Sequence, residues 1–333
     1  MTGSPDVTIG VLALQGAFLE HITLLTHAAR SLKQTQLESP SRQFPPNTRG
    51  TETASPARNA APSVSEAKES KSPRFSQNQT DDLPRTISNA TEPSSTKAHT
   101  TFPPQPSFRF IQVRTAEQLS ESDALILPGG ESTSISLIAE RCGLLEPLRQ
   151  YVKVQRKPVW GTCAGLILLA ESANKTKETG QELIGGLDVR VHRNYFGRQV
   201  ESFEADLELP FLQGGNFPAV FIRAPVVEKV LSTSSAIIDE SEAAKKVDVE
   251  TILAPPRQAT NAPVEILAKL PGRARAIKDK TTTAEDLGED GDIVAVKQGN
   301  VFGTAFHPEL TSDERIHAWW LREVMRLKYG GQM

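Results

Sequence analysis

The five residues Gly161-Thr162-Cys163-Ala164-Gly165 carry the clearest chemical signal in the chain. They sit where an apolar run, Pro158–Thr162, hands over to a helical pattern from Gly165. A nucleophile elbow has this shape, with Cys in place of Ser. The sharp turn needs small flanking residues, and Gly161 and Gly165 supply them. The turn would set the thiol against the N–H groups and positive dipole end of the next helix, a setting that suits an anionic sulfur. The bland alternative is a small buried apolar cysteine. Glycines on both sides favour the nucleophile. Cys142 follows a helical stretch and precedes Gly143, and it reads as structural.

A thiol nucleophile wants a base, and the base wants a group that orients it. The chain offers six histidines. His99 lies in a strongly polar arm, His21 and His27 on a first helix, His317 on the last, and His192 near a strand end. His307 stands apart, because Phe306-His307-Pro308-Glu309 follows directly on a strand pattern. Residues two apart on an extended segment face the same side. Glu309 could then fix the imidazole tautomer while His307 exchanges a proton with Cys163. Alone, the triplet could be a surface turn; beside a cysteine elbow it completes a Cys-His-Glu set.

The third element is Pro128-Gly129-Gly130-Glu131-Ser132, again after a short apolar run. Glycine lets a backbone N–H approach a ligand closely. The N–H groups of Gly130 and Ala164 could hold an oxyanion. No Gly-Lys-Ser/Thr follows, so a phosphate-binding loop is excluded. No CxxC or HExxH spacing suggests a metal.

These residues need a scaffold of strands ending in loops. Val7–Leu14 is a nearly continuous apolar run, as expected of a strand buried on both faces. After Gln15-Gly16, Phe18, Ile22, Leu25, Ala29 and Leu32 trace a helical stripe. Phe108–Val113, Ala124–Leu127 and Pro158–Thr162 read as strands. Helices are expected over 133–141, 144–154 and from Gly165 to Ala170. The alternation argues for an α/β fold, with a mostly parallel central sheet between helical layers. The second half is richer in strands: 187–191, 203–209, 219–223, 265–270, 293–296 and 301–306. Thr311 to Glu314 reads as a capping box before a last helix bearing Ile316, Trp319, Trp320, Val324 and Leu327.

The 333 residues carry 37 basic and 40 acidic side chains, a net charge of −3. That balance excludes a broadly basic nucleic-acid surface or polybasic membrane anchor. Two cysteines do not make a disulfide framework, and the N-terminus lacks the basic, long apolar form of a signal peptide; a cytoplasmic protein is expected. Length alone would suggest about two domains, yet 36–106 is too poor in large apolar residues to fold. We expect one domain over 1–333, with 36–106 a disordered Ser/Thr/Pro-rich insertion. Polar loop insertions are expected at 232–261 and 273–291.

The cysteine elbow, the strand–Pro-Gly-Gly loop and the His-x-Glu pair resemble the class I triad glutamine amidotransferases. More closely, the chain resembles the glutaminase subunits of pyridoxal 5′-phosphate synthase. The matching stretches are Gly10–His21, Leu125–Ser134, Gly161–Ala170, Arg193–Leu207, Val220–Pro225 and Lys297–Thr311. The resemblance implies a flavodoxin-like three-layer sandwich. It implies that Cys163 attacks the side-chain amide of L-glutamine, with His307 as base and Glu309 as its orienter. It implies glutamine contacts from Gly130, Glu131, Ser132, Arg193, Ile222 and Arg223, with Gln15 near the site. A guanidinium suits the α-carboxylate of glutamine. No cofactor is implied. The implied partner is a (β/α)8-barrel synthase subunit in a multi-subunit complex, which receives the ammonia. Another γ-glutamyl hydrolase or amidotransferase on the same fold, or a non-catalytic regulatory subunit, are the competing readings.

Overall fold

Val7, Ile9 and Val11 have no accessible surface, as an apolar run buried on both faces requires. They belong to β1, Asp6–Leu12, in a computed structural model that describes residues 6–38, 107–175, 181–193, 195, 202–231, 251–255, 260–270 and 291–330. Helix α1, Phe18–Glu38, leads away from β1. The chain then supplies β2, Ser107–Val113, α2, Ala116–Ser120, and β3, Ala124–Leu127. Helix α3, Ser132–Arg141, and α4, Leu145–Arg149, follow, the latter continued by one π-helical turn over Gln150–Val154. Next come β4, Val159–Thr162, α5, Ala164–Leu169, β5, Ala170–Asn174, and β6, Leu187–His192. The second half adds β7, Ser202–Leu207, β8, Phe217–Ile222, β9, Val226–Val230, β10, Thr251–Leu253, and β11, Glu265–Leu270. It closes with β12, Asp292–Gln298, β13, Val301–Thr304, a 3-10 turn at Pro308–Leu310, and α6, Arg315–Tyr329.

Among the described residues, eleven strands form one sheet. Its first half is a parallel run in the order β2-β1-β3-β4-β13. Beyond β13 the strands continue mainly antiparallel through β12, β9, β6, β5 and β10. Helices pack in two groups, α1 with α6 and α3 with α4 and α5. Central strands buried on both faces need such cover on each side. Strands β7 and β8 form a separate hairpin.

Several expectations shift. The helix expected to Ala170 ends at Leu169, and Ala170 opens β5. The run is apolar throughout, so periodicity alone could not place that boundary. The expected capping box does not form. Thr311 Oγ1 instead donates to Pro308 O at 2.9 Å, within the 3-10 turn, while Asp313 Oδ1 accepts from the N–H of Arg315. Strand β10 interrupts the expected polar loop at 232–261, as a short strand paired to β5 with Leu253 exposed. Helix α1 takes in 36–38; the rest of the expected insertion to 106 lies outside the described residues, as does 273–291 apart from Gly291. No described helix is long and apolar enough to cross a membrane.

Candidate active site

Three neighbouring parallel strands, β3, β4 and β13, end at the same side of the sheet, and the loop after each one contributes to the site. This is where an open α/β sheet presents its ligands. Strand β4 ends at Thr162, and Cys163 follows with φ 46° and ψ −99°, left-handed backbone for a non-glycine residue. Such strain persists only where the surroundings impose it. Here the Cys163 N–H donates to Thr304 O of β13 at 2.8 Å, and Ala164 begins α5 at once. The turn is as tight as the glycines foretell: a methyl on Gly165 would collide with the backbone oxygen of Leu127 in β3. Ala164 is the first residue of α5, so its N–H has no partner within the helix.

His307 and Glu309 meet, though not on an extended segment as expected. Glu309 lies in the 3-10 turn that starts at Pro308, and the turn folds its carboxylate back onto the imidazole. His307 Nδ1 donates to Glu309 Oε1 at 2.7 Å. The backbone N–H of His307 donates to Val220 O of β8 at 2.7 Å, which ties the β7–β8 hairpin to the imidazole's backbone. Burial lowers the proton affinity of His307, but the charge and hydrogen bonds of Cys163 and Glu309 outweigh it and push the pKa up to about 10. A resting imidazolium beside the sulfur follows. It leaves His307 ready to give a proton before it takes one.

The loop after β3 closes over this pair. A methyl on Gly129 would overlap the His307 ring, so only glycine allows the approach. Gln15, in the loop after β1, accepts from the Glu131 N–H through Oε1 at 2.8 Å, and the Ala17 N–H donates to Gly129 O. Gly130 packs against the Gln15 side chain. The Glu131 carboxylate caps α3, accepting from the N–H groups of Thr133 and Ser134 and from Ser134 Oγ. These bonds hold Glu131 below the usual carboxylate range, against the opposing effect of its partial burial.

Arg193 belongs to a second cluster on the same loop. One of its terminal nitrogens donates to Ser132 Oγ at 3.1 Å and Thr133 Oγ1 at 3.0 Å. Both hydroxyls donate in turn to Gln181 Oε1. Burial pulls the Arg193 pKa down, and the Glu131 charge opposes it. Arg193 Nε and Gln181 Nε2 are buried donors without a partner among the described residues. Ile222 ends β8, and Arg223 follows, exposed, with φ 46°. The site residues thus fall into a Cys163–His307–Glu309 group and an Arg193–Ser132 group, joined by the 128–134 loop.

Sequence reasoning missed Gln181 and undervalued His21. Gln181 carries no motif. His21 does carry a signal: it falls four residues before Leu25, inside the apolar stripe of α1, and is fully buried.

A cysteine on a strained strand-to-helix turn, beside a His-Glu pair at the ends of parallel strands, fits a glutamine amidotransferase of the class I type. A solved structure described as a glutamine amidotransferase agrees, with a TM-score of 0.51 and 28% identity, covering 95% of this chain and 98% of that one. The chain belongs to the SNO glutamine amidotransferase family, whose model matches residues 88–255 and 265–326. It is 42% identical over 230 residues to a probable pyridoxal 5′-phosphate synthase subunit PDX2 of Arabidopsis thaliana, covering 66% of this chain and 78% of that one. It is 39% identical over 212 residues to the pyridoxal 5′-phosphate synthase subunit PdxT of Dehalococcoides mccartyi, covering 64% and 83%.

Proposed function

We propose that this chain is the glutaminase subunit of a pyridoxal 5′-phosphate synthase. It hydrolyses L-glutamine to L-glutamate and ammonia and passes the ammonia to a separate (β/α)8-barrel synthase subunit, in a multi-subunit complex. The observation that carries the reading is the Cys163 elbow, hydrogen-bonded through its sulfur to the imidazole of a His307–Glu309 pair held at 2.7 Å. The relatives named as synthase subunits support the choice of partner.

In this mechanism the Cys163 sulfur attacks the carboxamide carbon. The N–H groups of Gly130 and Ala164 receive the oxyanion. His307 gives its proton to the departing nitrogen, ammonia leaves, and a γ-glutamyl thioester remains. His307, now neutral, takes a proton from water, whose oxygen attacks the thioester. Collapse expels the Cys163 sulfur and releases glutamate. Arg193 receives the α-carboxylate of glutamine through donors that its hydroxyl partners leave open. Gly130, Glu131, Ser132, Ile222 and Arg223 line the amino-acid end. The chemistry needs no cofactor. The reading places it in the cytoplasm, where Cys142 and Cys163 stay as the free thiols they are here.

The test is glutamate formation from glutamine by the purified chain, with and without the synthase subunit from the same organism. Strong stimulation by the partner is expected, with complete loss of activity in Cys163→Ala. Equal, high activity without the partner would point to a free-standing amidase. An active Cys163→Ala variant would remove Cys163 as nucleophile.

A further inference from the structure

Behind Glu309 lies a line of buried polar groups that the proposed chemistry does not use. The second carboxylate oxygen, Glu309 Oε2, is enclosed by protein and makes no well-aligned hydrogen bond. Facing it is His21 Nε2 of α1, at 3.3 Å, and both side chains have 0% exposure. The same nitrogen lies 3.2 Å from Thr162 Oγ1, the residue before the nucleophile. On its other side, His21 Nδ1 lies 3.0 Å from Nε2 of His317 in α6. Trp160 packs edge-on against His21 and tilted against His317, and Trp160 and Trp320 are themselves buried. Water is kept from the whole line.

The protons in this line can be assigned. Burial keeps both histidines neutral: His21 falls well below its usual range, helped by the neighbouring imidazoles His317 and His307, and His317 falls to about 3. One proton is therefore shared between His21 Nδ1 and His317 Nε2. If His21 held it there, its bare Nε2 would face a carboxylate oxygen, lone pair against lone pair. His317 would also keep an N–H at Nδ1, which has no partner. If His317 Nε2 donates instead, His21 carries its proton on Nε2, directed between Thr162 Oγ1 and Glu309 Oε2. Only a bare nitrogen of His317 is then left unmatched. The second arrangement avoids both the repulsion and the orphaned donor.

We propose that His21 is a positioning residue for the glutaminase reaction, its Nε2–H holding the second oxygen of Glu309 while His317 fixes its tautomer. The inference rests on Glu309 acting as the orienter of His307. Without His21 the buried oxygen has no facing donor, the carboxylate is free to turn, and the 2.7 Å bond to His307 loosens. His21 touches neither substrate nor sulfur, so it acts through Glu309 alone.

A double-mutant cycle on the full chain, assayed as glutaminase with its synthase subunit, tests this. His21→Leu is expected to lower kcat roughly tenfold, the scale on which groups that orient a catalytic residue act, with KM for glutamine kept. In a Glu309→Ala background the same change should cost almost nothing, because the group it positions is gone. His21→Gln, whose amide nitrogen can reach the place of Nε2, should restore most of the rate. An equal loss in both backgrounds, or none in either, overturns the proposal. If the leucine variant does not fold, His21→Gln and His21→Asn carry the same test. The shorter asparagine cannot reach Glu309, so activity in the glutamine variant only is the expected result, and equal activity in both overturns the idea. Wild-type rates in Cys163→Ala and Glu309→Ala would instead strike down the triad itself, a separate failure from that of His21.

Discussion

At the scale of single residues, the site holds a histidine whose proton is retained by its neighbours. His307 has its pKa pushed up to about 10 despite burial. The sign of the linkage follows. The folded value lies above the ordinary 6.5, so the stabilising contribution is complete below about pH 6.5 and fades as the pH rises toward 10. Thermal unfolding from pH 6.5 to 10 should show this loss, and His307→Gln should flatten that part of the profile. A histidine proton titration followed by NMR should place His307 far above its free value in the wild type and lower in Cys163→Ala, which lacks the sulfur that raises it. Glu309→Ala should retain partial activity, with kcat reduced on the order of a hundredfold, since the base remains but loses its orientation. Most of this constellation is legible in the sequence. Elbow, base and loop each sit in a short motif whose chemistry is local. Gln181 is not, because its role comes from two hydroxyls nearly fifty positions away. His21 goes undervalued because a stripe drawn through hydrophobic residues passes over a polar one.

At the scale of elements, close approach of loops decides the geometry. The backbone of Gly129 lies against the His307 ring, so Gly129→Ala should cut glutaminase activity far more than it lowers the melting temperature. Kinetics beside a thermal melt separates the two effects. The second tie is the pair of buried Lys153, in the π-helical turn, and partly buried Glu171 of β5, at 2.7 Å; Lys153 Nζ also donates to Pro255 O. Burial raises the Glu171 pKa, and Lys153 opposes that rise. Lys153→Met would strand the carboxylate and should cost about 3 kcal/mol in denaturant unfolding, with Glu171→Gln in the same background recovering part of it. The strands were readable from β-branched apolar runs. The switch from α5 to β5 was not, since one apolar run serves both. The short edge strand β10 was hidden for the opposite reason: it buries too little to leave an apolar signature.

At the scale of the whole molecule, β1, α1 and β2 form a parallel crossover. Helix α1 has 21 residues, about 30 Å at the standard rise, so it can return the chain along the length of β1 to where β2 begins. A loop of about 4 residues is the usual length for closing such a unit. A chain with residues 42–103 replaced by a short Gly/Ser linker should therefore keep its glutaminase activity and melt within a few degrees of the full chain. Loss of the cooperative melt would show that the intervening residues contribute to the core.

The long span between the two terminal helices has a consequence for how the protein is made. His21 and His317 lie 296 positions apart, and the base and its carboxylate come only at 307 and 309. A ribosome therefore delivers the nucleophile well before the groups that govern it. Until residues 307 and 309 emerge, Cys163 has neither His307 nor Glu309 beside it. A product cut short before residue 307 would lack both groups and should show no glutaminase activity, which a truncation series assayed with glutamine would check.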